Sequence, residues 1–317
     1  MAATVHERSQ PSRTLRASQS NDQGRGGCCN EAIMSHTLPS LYISHGSPMT
    51  ALEPGAAGAF WARLGPAIDA AFCRPKAILA VSAHSLTREP VLLAAPRHEA
   101  VHDFGGFPQA LFDLRYPAAG APALAQRVQA LLKDAGVPVH VVDEGGLDHG
   151  IWTPLRSMYP DGDVPILPLA WPPNWTPAQL LQLGHALQPL AGEGVLVMGS
   201  GAITHNLRLF AGGARTLEAP EREESAAFRG WFHQQAQAAD WAALTDYRRQ
   251  APHAAFMHPT DEHLLPWFVA AGAAGDAPTG LRLHDSVTFG HMGMDVYAFG
   301  PEAPRLAQAL DTASAPA

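Results

Sequence analysis

An α/β domain with a central mixed sheet flanked by helices is the fold class this sequence predicts, and three observations predict it. Apolar runs of strand length, such as Ala77 to Val81 and Val195 to Met198, are unbroken by polar residues, as in strands buried on both faces. Segments of helical composition alternate with them along the chain, the pattern of a layered α/β domain. Several of the runs end in Gly- or Pro-bearing loops that carry a histidine, so the same strand ends also offer a place for a metal site.

In chain order, Met1 to about Thr37 is rich in Ser, Arg, Gln, Asn and Gly without hydrophobic period and is expected to be disordered or loosely attached. Met34 stands just before the first strand and is a candidate natural start; an amino-terminal sequence retaining Ala2 through Ile33 would refute that. A domain then spans 38–305, with a short C-terminal tail at 306–317. Leu41-Tyr42-Ile43-Ser44 is a strand that delivers His45 before Gly46 and Pro48 turn the chain. Ala77 to Ala83 delivers His84 in the same way. Ala123 to Ala135 has helix composition and is closed by Gly136, and Val137 to Val142 reads as a strand. Val164 to Ala170 is a strand whose Pro168 predicts an edge position or a bulge. Pro177 to Leu190 is a helix capped by Thr176. Gly194 to Met198 is a buried strand running into Gly199-Ser200-Gly201, with Thr204-His205-Asn206 just beyond. Glu221 to Ala239 is a long amphipathic helix with an acidic first turn, and Asp295 to Phe299 is a final strand. Thr260 is placed to cap a helix with Asp261 and Glu262 in its first turn, which puts His263 near that helix start. No internal repeat is present.

Composition narrows the functional classes. The 317 residues, 46% of them hydrophobic, suffice for a substantial core. A formal charge of −8 with no basic stripe argues against a nucleic-acid surface. Arginine outnumbers lysine, which occurs only at Lys76 and Lys133 and reads as codon bias. No apolar stretch is long enough to span a membrane and no secretory signal pattern opens the chain, so a soluble cytoplasmic protein is expected. Cys28 and Cys29 are adjacent in the polar tail and Cys73 stands alone, which is no disulfide framework and fits a reducing compartment.

His45, His84, His205 and His263 thus share one topological setting. Neutral imidazole is a favoured ligand of zinc and non-haem iron. Neither His-Glu-x-x-His nor Cys-x-x-Cys is present, so spacing alone does not name the chemistry. Two more stretches carry chemical groups: the aromatic and glycine loop Val101 to Pro108 with its His102-Asp103 pair, and Asp148-His149-Gly150, where His149 also follows a strand.

Taken in order, His45-Gly46-Ser47-Pro48, Ser82-Ala83-His84, His102-Asp103-Phe104-Gly105-Gly106-Phe107-Pro108, Asp148-His149-Gly150, Gly199-Ser200-Gly201 with His205-Asn206-Leu207, and Pro259 to Pro266 resemble the extradiol ring-cleavage dioxygenases of the protocatechuate 4,5-dioxygenase superfamily, within it the DOPA dioxygenase group. The resemblance covers Leu41 to about Gly300. It implies His45, His84 and His263 as metal ligands, His205 as a fourth ligand or the acid/base, and His149 as a pocket histidine near substrate and dioxygen. It further implies one Zn(II) or Fe(II) per chain, a catechol and dioxygen as the small-molecule partners, and a role in aromatic compound catabolism; charge and hydropathy add the expectation of no nucleic-acid or membrane partner. Ring opening calls for Fe(II), since zinc cannot change oxidation state. His258 holds a position the family pattern does not require to be histidine. His291 has no counterpart and reads as structural or incidental, and Ser85 stands where relatives often carry Trp. Two other readings compete: a zinc hydrolase with Glu262 or His205 as base, which would turn over without consuming oxygen, and a metal-free binding protein on the same fold, which metal content would separate.

Overall fold

Alternation of apolar side chains between two buried faces builds a three-layer arrangement. The computed structural model describes residues 37–211 and 216–312. Its main sheet has eight strands: β1 (Ser40–Ser44), β2 (Ala77–Ser82), β3 (Val91–Leu93), β4 (His140–Val142), β5 (Ile166–Ala170), β6 (Val195–Gly201), β7 (Gly280–His284) and β8 (Val296–Phe299). They lie in the order β4-β3-β5-β2-β6-β1-β8-β7. The central strands β5, β2, β6 and β1 are mutually parallel, whereas β8 runs antiparallel to β1 and β7 antiparallel to β8. Leu41, Ile43, Ile78, Ala80, Leu196 and Met198 face one side; Tyr42, Leu79, Val81, Val195 and Val197 face the other. This two-residue period explains why the strands read as unbroken apolar runs: both faces are covered.

Helices α1 (Gly55–Phe72), α3 (His149–Met158) and α7 (Ala303–Thr312) cover the first face, and α2 (Pro122–Asp134), α4 (Pro177–Leu187), α5 (Glu223–Ala238) and α6 (Pro266–Gly272) the second. In α4, Leu180, Leu183 and Leu187 recur at helical spacing and are fully buried, worth roughly 2 kcal/mol each. Its start is a capping box, in which Thr176 accepts from the Gln179 backbone N–H and the Gln179 side chain accepts in return from Thr176 N–H. A buried ion cluster ties α5 to the far strands. Arg229 bonds Asp295 at 2.8 Å, Glu221 at 2.8 Å and Asp285, while Arg282 adds a longer contact to Asp295 at 3.3 Å.

The structure corrects several expectations. Pro168 lies in an interior strand, not at an edge; β3 is only three residues long and its ladder to β5 reaches Leu169 and Ala170, stopping one residue short of the proline. The strand expected over Val137 to Val142 is confined to β4, and the helix expected to run to Leu190 ends at Leu187, before Pro189 opens a separate short turn. Thr260 caps no helix: its hydroxyl bonds Glu262, and His263 sits in the turn that precedes α6. Residues 306–312, expected as tail, are helical because Leu306 and Leu310 bury against the first face. Cys73, expected to stand alone, is disulfide-bonded, which removes that support for a reducing compartment. The tail expected over Met1 to about Thr37 falls outside the described residues up to His36, as do 313–317.

Candidate metal centre and active site

Three neighbouring parallel strands end together, and each hands a side chain to the same place. In register, Ser44 pairs with Gly201 and Ser82 with Ser200, so β1, β6 and β2 finish level with one another. His45 follows β1 and its N–H donates to Gly201 O at 2.9 Å; Ala83 N–H donates to Ser200 O at 3.0 Å, and His84 comes next. His263 arrives from the opposite direction. Its carbonyl accepts from Ala202 N–H and from the Tyr42 hydroxyl, each at 2.9 Å, which pins the turn across the end of β6. Gly201 permits this approach, since a Cβ there would stand 1.9 Å from the His263 carbonyl oxygen.

The Nε2 atoms of these three histidines converge. His84 Nε2 lies 3.2 Å from that of His45 and 3.2 Å from that of His263, and the three ligand atoms form one cluster able to hold a metal ion. Each ring turns its other nitrogen outward onto an acceptor. Ser200 donates its hydroxyl proton to Gly150 O and so accepts from His45 Nδ1 at 2.9 Å; Glu262 takes His263 Nδ1 at 3.1 Å; Asp103 lies 3.4 Å from His84 Nδ1. With the ring protons on Nδ1, all three Nε2 lone pairs point inward, the arrangement that orients imidazole ligands at metal sites. Burial holds the rings neutral. His45 and His263 are pushed well below the ordinary histidine value by burial and then by neighbouring histidines, and His84 is lowered to about 4 by burial and His149 against the opposing pull of Asp103 and Glu262. Three neutral imidazoles fit a divalent first-row ion such as zinc or iron.

His205 stands beside this cluster, not in it. Its ring stacks face to face on His263, with centroids 3.4 Å apart and planes 9° from parallel, and its nitrogen groups with His263 and Glu262. Burial and then His258 lower it to about 3. His149 opens α3, with Asp148 capping the helix by accepting from Gly150 N–H. Its ring centroid lies 4.1 Å from His84 and 5.2 Å from His45, and Asp103 accepts from both its backbone N–H and its Nδ1. Asp148 is buried and accepts from Ser82 and Ser85, so the first turn of α3 is bonded directly to the end of β2. Burial raises the Asp148 pKa against the pull of the two serines. Phe104 lies nearly perpendicular to the His149 ring and packs with Phe107 and Phe112 to wall that side.

Of the predicted site residues, the structure brings His45, His84 and His263 into one cluster and sets His149 and His205 on either side. His258 is fully buried and donates Nε2–H to Ile203 O at 2.7 Å, away from the three-nitrogen cluster. His291 bonds Phe289 O through Nδ1 and packs on Phe210. Reasoning from sequence placed Ser82 and Ser200 in motifs and noted Ser85 but gave none of them its role, which is to orient His45 and anchor α3. The signal was present: Ser82 and Ser200 are hydroxyls at the ends of otherwise apolar strands.

The family described as the catalytic LigB subunit of aromatic ring-opening dioxygenase matches residues 32–300. A 4,5-DOPA dioxygenase extradiol of Beta vulgaris is 35% identical over 262 residues, covering 82% of this chain and 96% of that one. The Escherichia coli K12 protein of the same description is 44% identical over 180 residues, 56% of this chain and 64% of that one. Among solved structures, an uncharacterized protein of Escherichia coli K12 superimposes with a TM-score of 0.66 at 29% identity, covering 83% of this chain and all of that one. With a match across most of its length, on a sheet whose parallel strand ends gather three neutral histidines, the chain belongs to the LigB family of aromatic ring-opening dioxygenases.

Proposed function

We propose that this extradiol dioxygenase opens the ring of an ortho-diphenol with dioxygen, at one divalent metal held by His45, His84 and His263, with Fe(II) as the active metal and Zn(II) as a competing occupant. The observation that carries the reading is the convergence of three inward Nε2 atoms while Nδ1 of His45 and of His263 is hydrogen-bonded and that of His84 faces the Asp103 carboxylate at 3.4 Å. When bound, the ion supplies positive charge that acidifies the diol and, as Fe(II), the redox change that dioxygen chemistry requires and that zinc lacks.

The remaining work falls to the chain. His205 is partly buried and stacked on the face of His263, and its place beside the cluster, not its basicity in the unloaded site, where burial lowers its pKa, makes it the residue to take a proton from a metal-acidified diol. His149, with Nδ1 held by Asp103, has its Nε2 as the free ring atom and serves substrate and dioxygen as hydrogen-bond or proton partner. Phe104 sets an aromatic ring at the same side, which favours a flat ring and sheds water. Glu262 holds His263 Nδ1 and the Thr260 hydroxyl on its Oε1, which assigns it to orienting His263 in preference to acting as the base of a zinc hydrolase.

A DOPA-like catechol is the first substrate to try, because two relatives carry that description. The proposed setting is aromatic compound catabolism in the cytoplasm, with no nucleic-acid or membrane partner. Among the described residues no helix is long and apolar enough to cross a membrane. The test is oxygen uptake by the Fe(II)-loaded enzyme against a panel of catechols. Uptake matched mole for mole by a yellow ring-opened product is expected; hydrolysis of esters or amides without oxygen uptake would sink the proposal.

A further inference from the structure

We propose that Asp103 is a positioning residue that couples the metal-holding ring of His84 to His149 through a single shared carboxylate. The inference rests on the metal-dependent reading above and deepens it. Oδ1 of Asp103 lies 2.9 Å from His149 Nδ1 and 3.0 Å from the His149 backbone nitrogen, while Oδ2 lies 3.4 Å from His84 Nδ1. The two rings are neighbours, with centroids 4.1 Å apart. One oxygen therefore serves each ring, and both rings present Nε2 as their free nitrogen.

The nearby acid cannot substitute. Both oxygens of Asp148 are already taken, Oδ1 by Ser82 and Gly150 N–H and Oδ2 by Ser85. Asp103 also differs from the other groups behind the cluster. Ser200 serves one ligand ring and Glu262 serves another, whereas Asp103 serves a ligand and a pocket histidine at once. It comes from a loop and not from a sheet strand, and a Cβ at Gly105 or Gly106 on that loop would meet nothing within 4 Å. Hydrogen bonds at Val101, which donates its N–H to Leu147 O and accepts from Trp152 Nε1, anchor the segment just before Asp103, while beyond it the seating is aromatic, with Phe104 on His149 and Phe107 on Phe104. A displacement of the loop thus shifts the tilt of a ligand and the aim of His149 together.

Asp103→Asn preserves shape but sets an NH₂ group opposite one of the two Nδ1–H groups, so one ring must change tautomer or turn. Zn(II) affinity, measured by chelator competition and independent of ring opening, should fall about 10- to 100-fold. His149→Gln should leave that affinity within about twofold, since His149 is not in the three-nitrogen cluster. In the Fe(II)-loaded enzyme at saturating metal, Asp103→Asn should lower kcat with KM nearly unchanged. The double variant should then be no more than about threefold slower than the slower single one, because both changes remove the same function. Unchanged Zn(II) affinity in Asp103→Asn, or kcat losses that multiply in full, would overturn the proposal. If the asparagine variant does not fold, Asp103→Glu takes its place with the same expected and overturning results, because a carboxylate moved out by one methylene cannot meet both Nδ1 atoms in the present geometry. Failure of the ring-opening assay with every catechol leaves the metal-affinity arm intact, so the two failures are distinguishable.

Discussion

Replacing Gly201 by alanine adds one methyl group at the end of the central strand, where it meets the backbone that presents His263. The new Cβ would stand 1.9 Å from the His263 carbonyl oxygen, 2.9 Å from its carbonyl carbon and 3.0 Å from the Tyr42 hydroxyl. Real side chains avoid contacts under about 3 Å, so the turn must retreat by about 1 Å, and a backbone carbonyl cannot swing away as a long side chain does. That retreat strains the two hydrogen bonds to this carbonyl, from Ala202 N–H and Tyr42 Oη. Losing both at about 1 kcal/mol each, with an overpacking cost of about 1–3 kcal/mol, gives a destabilisation of about 3–5 kcal/mol. A ligand displaced by about 1 Å also exceeds the roughly 0.5 Å tolerance of a functional site, so metal affinity should fall more than about 100-fold. Urea unfolding of the metal-free protein and chelator competition for Zn(II) read the two effects separately. The control is Gly230→Ala on the exposed side of α5, where a Cβ meets nothing within 4 Å; relief of backbone entropy should stabilise it by about 0.5–1 kcal/mol. A Gly201→Ala protein with native unfolding midpoint and native metal affinity would refute the packing argument.

Three further predictions follow from the same geometry. Ser200→Ala removes the acceptor of His45 Nδ1–H and should weaken Zn(II) binding about 10- to 100-fold without abolishing it; unchanged affinity in the competition assay would separate Ser200 from the site. His84→Ala should lose both metal and activity, while His205→Ala should retain metal and turn over about a hundredfold to ten-thousandfold more slowly; equal metal loss in both would reassign His205 as a fourth ligand. Arg229→Met leaves Asp295, fully buried, with only the 3.3 Å contact to Arg282, and should cost about 3 kcal/mol by urea unfolding; a change below about 1 kcal/mol would show that the cluster contributes little net stability.

Much of this was legible in the sequence because the features that build the site are local. A strand buried on both faces announces itself as an apolar run, and His45 and His84 stand directly at the ends of such runs. The layered fold follows from the alternation with helices. What remained hidden depends on contacts between distant segments. The place of His263 is set by Gly201 and Tyr42, more than sixty and two hundred residues away in the chain. That His205 stacks on the His263 ring, so that it flanks the cluster, is a matter of one loop's path and leaves no mark on spacing. Ser82 and Ser200 stand in the sequence only as members of motifs, and their roles emerge when the first turn of α3 is seen docked on both strands. Pro168 misled because a proline normally marks an edge, whereas here a short neighbouring strand leaves its position unpaired on that side.

The central claim is that His45, His84 and His263 hold one metal whose identity decides ring opening. Anaerobic reconstitution of the metal-free protein with Fe(II) or with Zn(II), followed by metal stoichiometry and oxygen-electrode assay with DOPA and other catechols, tests it most directly. The account predicts one ion per chain in either case, with oxygen uptake and a yellow product in the iron form alone. Tight binding of one ion with no oxygen uptake from any catechol in the iron form, or oxygen uptake in a His84→Ala protein free of metal, would contradict it.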